Sequence, residues 1–214
     1  MEDNYANPEW FMDRCILCPL NESTNEMNER LIEKLPGEEI ISYSADSSSG
    51  TNEFEEVPTE FLNSFDYPGF PKHALKLKQN MILMLMRNIN KKQGLCNGTR
   101  LILKNIRGNI LECYNPVRRE WVDIPRIQLK SDVKKVGLSW TRIQFPVQPA
   151  YAMTINKSQG QTIKGKNGVY LYKSVFSHGQ LYVALSRATD PENIKVGVPA
   201  SEKTANIVLK SVLN

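Results

Sequence analysis

The chain has 214 residues, 41% of them hydrophobic, with 27 Lys and Arg against 23 Asp and Glu and a formal net charge of +4. That length makes one large domain or one domain carrying a smaller one, no apolar run approaches the ~18 residues a membrane helix needs, and four Cys form no disulfide framework. The mean charge hides a division: residues 1–60 carry three basic and fifteen acidic side chains, net −12, whereas residues 61–214 carry 24 and 8, net +16. A basic portion of that size points to a polyanionic partner, nucleic acid first, against the plainer reading of a scattered solvated surface.

The acidic, polar start MEDNYANPEW reads as neither a secretory nor a mitochondrial presequence, so a reduced intracellular setting is expected. Cys15-Ile16-Leu17-Cys18 is a short apolar run closed by Pro19 and predicts a strand. A helix follows from about Ser23 to Leu35, with Met27, Leu31 and Leu35 on one face, and Pro36-Gly37 ends it. Ile40–Tyr43 predicts the next strand, and Ser47–Glu60, rich in Ser and acids, an exposed connection. From Pro71 to about Gln148 the pattern is β. Leu75–Lys78 alternates, Met81–Met86 is a buried run, and Arg107-Gly108-Asn109 between Leu101–Leu103 and Ile110-Leu111 signals a hairpin. Asn115-Pro116 marks another turn before Trp121–Ile124, and short strands at this spacing predict a small barrel. The last third returns to α/β. Ala150–Asn156 is helix-compatible, and Val169–Tyr172 reads as a strand. Ser177 with Gln180 fits a capping box for a helix burying Leu181, Ala184, Leu185 and Ala188. Ile194–Val198 predicts a strand and Ser201–Leu213 a closing helix.

Several local matches fail on chemistry. Gly160–Lys166 has the spacing of a Walker A loop, but Asn167 stands where Ser or Thr must hold Mg²⁺, and the order of strand and helix around it is reversed. Cys15 and Cys18, three apart in a strand, face opposite ways. Cys96 and Cys113 form no second knuckle, and His73 and His178 are isolated, so no metal site is expected. Two segments carry more. Tyr151–Thr162 (YAMTINKSQGQT) gathers hydroxyls, amides, Lys157 and Gly160, which suits a phosphate backbone or nucleotide, against the alternative of a polar helix end capped by Gly160. Ser177–Thr189 ends in Arg187, either a carbonyl-capping group or a guanidinium able to reach a γ-phosphate.

TINKSQGQT followed by HGQLYVALSRAT resembles motifs V and VI of superfamily-one helicases, within them the petite-integration-frequency (Pif) family and the helicase portions of Helitron transposons. Cys15–Glu39 is similar to the family's motif IV strand and helix. Leu75–Leu103, with MLMRNINKKQGLCNGTRLIL, resembles its inserted small barrel, and Arg142–Phe145 the strand returning to the motor domain. Gln148-Pro149 departs from the family's usual basic and apolar pair there. The resemblance implies an α/β fold: a second RecA-like motor domain, itself without a P-loop, over residues 1–58 and 142–214, carrying a Src-homology-type β-barrel over 59–141. It implies the C-terminal part of an ATP-dependent 5′→3′ DNA helicase, in the nucleus or alternatively the mitochondrion. The first RecA-like domain, which binds ATP and Mg²⁺, would be a partner outside these residues, and no membrane is involved. Carried over by motif, Arg187 would be the arginine finger, and Gly160 and Thr162 would sit near the nucleotide. Thr154, Asn156, Lys157, Ser158 and Gln159 would hold single-stranded DNA. Gln180 and Tyr182 would line the same coupling surface, and Asn97 and Arg100, with Lys76, Lys78 and Arg87, would offer strand contacts on the barrel. The alternatives are a stand-alone single-stranded nucleic-acid-binding module and an inactive transposon-derived fragment. With no phosphate cradle in its sequence, the 214-residue chain alone is expected to hydrolyse no ATP, with or without DNA. Phosphate release from the purified chain decides this, and DNA-stimulated turnover would refute it.

Overall fold

Strand pairing sorts the chain into a split unit, Met1–Leu35 with Pro149–Asn214, and an inserted unit, Pro36–Gln148. The computed structural model describes residues 4–48, 57–131, 139–160, 163, 165–199, 203, 204 and 206–208. The split unit opens with α1 (Pro8–Met12), β1 (Cys15–Cys18) and α2 (Asn21–Lys34). The inserted unit follows with β2 (Ile40–Tyr43), β3 (Ala45–Ser48), α3 (Thr59–Ser64), β4 (Ala74–Leu77), β5 (Ile82–Leu85) and β6 (Arg100–Arg107). It continues through β7 (Ile110–Asn115), β8 (Glu120–Pro125), β9 (Ile127–Lys130), β10 (Trp140–Gln144) and β11 (Val147–Pro149). Back in the split unit come β12 (Ala152–Thr154), β13 (Asn167–Tyr170), α4 (Gln180–Leu185) and β14 (Ile194–Gly197). Among the described residues no helix is long and apolar enough to cross a membrane.

The split unit is a four-stranded parallel sheet in the order β12-β1-β13-β14, with Ile16 opposite both Ala152 and Gly168 and Val169 opposite Val196. Parallel strands covered on both faces read as continuous apolar runs, and Leu17, Cys18 and Val169 are buried accordingly. The same physics corrects the expected helix at Ala150–Asn156. Tyr151 to Ile155 is buried throughout, and its first part is strand β12, followed by a 3₁₀ turn over Ile155–Ser158. The edge of β12 is satisfied by Asn28 of α2: its Oδ1 accepts from Tyr151 N (3.0 Å) and Ala152 N (2.8 Å), and its Nδ2 donates to Ala152 O (3.0 Å). Asn28 also explains why α2 buries Ser23, Thr24, Asn28 and Ile32 while Met27 and Leu31 stay half-buried, a face rotated from the expected one. Thr24 Oγ1 there donates to Leu20 O at 2.9 Å.

The helix expected from the Ser177 capping box is shorter and differently capped. Gly179, at φ +69, is the N-cap of α4, and Gln180 Oε1 accepts from Phe176 N (3.0 Å). Ala184 is buried, whereas Leu185 is 42% exposed and Ala188 lies beyond the helix end. The closing helix at Ser201–Leu213 falls outside the described residues, apart from Lys203, Thr204 and residues 206–208.

The inserted unit contains three sheets, in the orders β11-β5-β6-β7-β8, β3-β10-β9 and β2-β4. β6 and β7 pair from Ile102↔Tyr114 to Arg107↔Ile110, so the expected hairpin turns through Gly108-Asn109, with Gly108 at φ +53. The Asn115-Pro116 turn leads into β8, where Asn115 Oδ1 accepts from Val117 N (3.1 Å) and Arg118 N (3.4 Å). The unit runs from Pro36 to Gln148, with β2 paired to β4 and β3 to β10. Trp140, Leu62, Phe70 and Leu129 form a buried cluster beside these pairs.

Through that cluster runs a buried ion pair. Arg142 lies opposite Asp46, and their side chains are 1% and 0% exposed. Arg142 Nε donates to Asp46 Oδ1 (3.0 Å), and Nη2 donates to Asp46 Oδ2 (2.7 Å) and Leu62 O (2.9 Å). Nη1 donates to Pro71 O at 2.9 Å, and the guanidinium stands 4.9 Å from the Trp140 ring centre. Removing one member of a buried pair strands the other charge in low dielectric, which costs about 3–5 kcal/mol. Asp46→Ala should therefore lower the unfolding free energy of the chain by about that amount. Urea denaturation followed by circular dichroism reads it, and a loss below about 1 kcal/mol would show the pair to be dispensable.

Candidate nucleic-acid and nucleotide interface

In the split unit, β12 delivers the chain into an exposed turn. Thr154, 7% exposed, ends the strand and its Oγ1 accepts from Lys157 N (3.3 Å), capping the 3₁₀ turn. Ser158 is fully buried and its Oγ donates to Ile155 O (2.7 Å). Asn156, Lys157, Gln159 and Gly160 face outward. The five motif residues thus divide. Thr154 and Ser158 shape the turn from inside, and Asn156, Lys157 and Gln159 present their side chains. Gly160 sits at φ +75 with open space where a side chain would stand, a conformation glycine adopts without strain. Desolvation at the Lys157 ammonium pulls its pKa below the ordinary lysine value.

Arg187, just past α4, reaches this turn. Its Nε donates to Val183 O (3.1 Å), Nη1 to Ser158 O (3.4 Å) and Nη2 to Ser186 Oγ (3.0 Å). Its carbonyl accepts from Ile163 N (3.3 Å). The structure therefore brings Arg187, Ser158 and the Asn156–Gly160 turn together, and the carbonyl-capping geometry coexists with a position beside the exposed turn. Thr162 lies outside the described residues.

Gln180 and Tyr182 part company. Tyr182 is 74% exposed, whereas Gln180 is 2% exposed, with Nε2 donating to Pro19 O (3.3 Å). Gln180 is thus a tie between the start of α4 and the end of β1, and it offers no surface to a strand. Asn28, the buried amide that fixes β12, was not among the sequence candidates. A lone amide on the apolar side of α2 was its only signal.

The candidates on the inserted unit are dispersed. Asn97 is exposed, its N–H donating to Asn88 Oδ1 (2.9 Å), and Arg100 is half-buried at the start of β6. Lys76 pairs with Glu39 at 3.7 Å, Lys78 is buried, and Arg87 Nη1 donates to Met86 O at 2.9 Å. Burial pushes the thiols of Cys18 and Cys113 up to about 12, which keeps them protonated and unreactive near neutrality.

A family model described as the 2B domain of DNA helicase Pif1 matches residues 60–106. The ATP-dependent DNA helicase PIF1 of Xenopus laevis is 32% identical over 186 residues, covering 84% of this chain and 27% of that protein. Its counterpart in Homo sapiens is 28% identical over 192 residues, covering 84% and 26%. The crystal structure of Pif1 helicase from Bacteroides in complex with ADP-AlF3 and ssDNA shares the fold, with a TM-score of 0.68 at 20% identity, over 94% of this chain and 43% of that one. The chain spans about a quarter of the length of these two curated relatives. With its mixed α/β fold, an inserted segment that fits the 2B model, and relatives aligned along most of its length, the chain belongs to the Pif1 helicase family.

Proposed function

We propose that the chain is the C-terminal part of an ATP-dependent 5′→3′ DNA helicase, contributing the arginine finger and the surface that couples nucleotide state to a single DNA strand. In this reading the parallel sheet of the split unit is a second RecA-like motor domain, and the inserted unit is the small Src-homology-type barrel. ATP and Mg²⁺ are held mainly by a first RecA-like domain outside these residues. Asn156, Lys157 and Gln159 take the phosphate backbone. Thr154 and Ser158 fix the turn that carries them, and Gly160 and Thr162 lie toward the nucleotide. Arg187 stabilises charge on the transferring γ-phosphoryl, for which its planar fork suits two phosphate oxygens.

The observation that carries this reading is the joint between Arg187 and the turn. One side chain spans the end of α4 and the Ser158 carbonyl, so a shift of the guanidinium toward a phosphate changes the support of the exposed Asn156–Gly160 backbone. Such a shift exchanges two bonds to neutral carbonyls for bonds between ions, a favourable trade once the phosphate excludes water.

Three outcomes are expected. The 214-residue chain should bind single-stranded DNA with little sequence preference, its affinity falling linearly in log salt. Lys157→Ala should weaken binding equally across sequences and reduce the slope by about 0.7, the contribution of one single-strand phosphate contact. Because the Lys157 pKa is lowered, its share of binding should be lost as pH rises through that lowered value, before ordinary lysines titrate, and Lys157→Arg should abolish this early loss. Fluorescence anisotropy at several salt concentrations and pH values measures these effects, and a flat salt response refutes the electrostatic reading.

Arg187→Ala should leave the chain folded, with a loss of stability of no more than about 1.5–3 kcal/mol, the range for hydrogen bonds that involve a charged group. When the chain is joined to its first motor domain, the same change should cut DNA-stimulated turnover by about 10³–10⁵, with nucleotide-free DNA binding nearly unchanged. A large fall in melting temperature would mark Arg187 as structural instead.

A further inference from the structure

We propose that the inserted unit carries a second single-strand site at the tip of the β7–β8 hairpin, built from Lys91, Lys92, Arg118, Arg119 and Trp121. Two loops converge there. In the β5–β6 connection, Asn90 folds the chain back on itself: its Oδ1 accepts from Lys92 N (3.1 Å) and Gln93 N (3.4 Å), and Leu95 N donates to Asn90 O (2.9 Å). Lys91 and Lys92 stand exposed at that tip. The β7–β8 turn, pinned by the buried Asn115 side chain, presents Arg118 and Arg119.

Arg118 locks the two together. Its Nη1 donates to Lys92 O (3.3 Å), and its stem lies so close over Gly94 that a Cβ there would stand 2.6 Å from Nε. Gly94 is favoured by its φ of +68, and the arginine stem lies over the space a side chain would take. None of Lys91, Lys92, Arg118 and Arg119 makes an ion pair among the described residues. Four cations are therefore held on these two turns against one adjoining carboxylate, Glu120, which leaves the tip net positive, and an approaching polyanion relieves their mutual repulsion.

Arg119 adds a second, independent sign. It sits at φ +58, in the left-handed region where Gly or Asn is the usual occupant of such a turn. A long cation at that position is held against its backbone preference, and such outliers gather where a side chain has work to do. Two residues on, at the start of β8, Trp121 is 68% exposed. It lies across the strand pair from Tyr114, with ring centres 5.7 Å apart, which braces the indole while leaving much of its surface open. A cation cluster and, two residues along the chain from Arg119, an open, braced indole match the two demands of a single strand, phosphate neutralisation and base stacking. Duplex DNA, whose bases are already stacked, would use the cations only.

The site rests on the nucleic-acid reading of the basic portion, but uses none of the residues of the Asn156–Gly160 turn, so the two can fail separately. The test titrates the full 214-residue chain, in a Trp10→Phe background, with a 20-nucleotide oligo-dT. Trp140 is buried, so Trp121 dominates quenching by acrylamide. Saturating oligo-dT should shield Trp121 from acrylamide, and Trp121→Ala should lower affinity about tenfold. Arg119→Gly should weaken binding several-fold with an unchanged or raised melting temperature, because glycine relaxes the φ of +58. Lys157→Ala should reduce affinity but leave the shielding at saturation intact. The proposal is overturned if Trp121 stays as open to acrylamide when oligo-dT is bound, if blunt duplex shields it equally, or if an acidic polypeptide shields it and oligo-dT does not. Unchanged affinity in Arg119→Gly would also overturn it, and failure of the parent chain to bind any oligonucleotide would sink both sites together.

Discussion

The inserted unit depends on one charge pair. β3 has the sequence Ala45-Asp46-Ser47-Ser48, with nothing apolar large enough to hold it in a sheet by burial. It stays because Asp46 meets the guanidinium of Arg142 from β10, and because the same guanidinium donates to the carbonyls of Leu62 and Pro71. A single planar cation thus joins two strands, helix α3 and the segment leading to β4. Ser44 Oγ donates to Asp46 Oδ1 at 2.7 Å and meets His73 Nδ1 at 2.8 Å. With its one proton committed to Asp46, Ser44 must accept from His73, which fixes the proton on Nδ1. Ions so deeply buried gain little net stability over apolar residues of equal volume, but they tolerate only one register. The pair selects the arrangement in which Trp140 packs with Leu62, Phe70 and Leu129.

Local signals in the sequence were enough for the hairpins and most strands. Gly108-Asn109 announced its own turn, and Ile40–Tyr43 appeared with the bounds it was read to have. What failed was whatever required a distant partner. The polar Ala45–Ser48 run becomes a strand only through residues nearly a hundred positions away. Tyr151–Ile155 has the apolar content of either a helix or a fully buried strand, and the decision rests on Ile16 and Asn28. In α2, periodicity pointed to Met27 and Leu31, and the Asn28 amide turned the helix the other way.

The candidate site shows the same limit. Motif spacing located the turn and Arg187, but it could not say which members face outward. Ser158 and Gln180 are polar residues in polar surroundings of sequence, yet both are buried, with each donating to a backbone carbonyl, Ser158 to Ile155 O and Gln180 to Pro19 O. Exposure follows from that accounting of hydrogen bonds more than from residue type.

The Asn28 amide has a consequence for how the protein behaves in company. β12 is the last strand of a parallel sheet, and an open edge of that kind is a template on which another chain can add a strand. By engaging the outward N–H and C=O groups of Ala152 with its own carbonyl and amine, the Asn28 side chain imitates one residue of a fifth strand. The sheet is thereby terminated by a group too short to be extended. Crowded, newly made copies of the chain would meet a blunt border there, and self-association by strand addition would have to begin elsewhere.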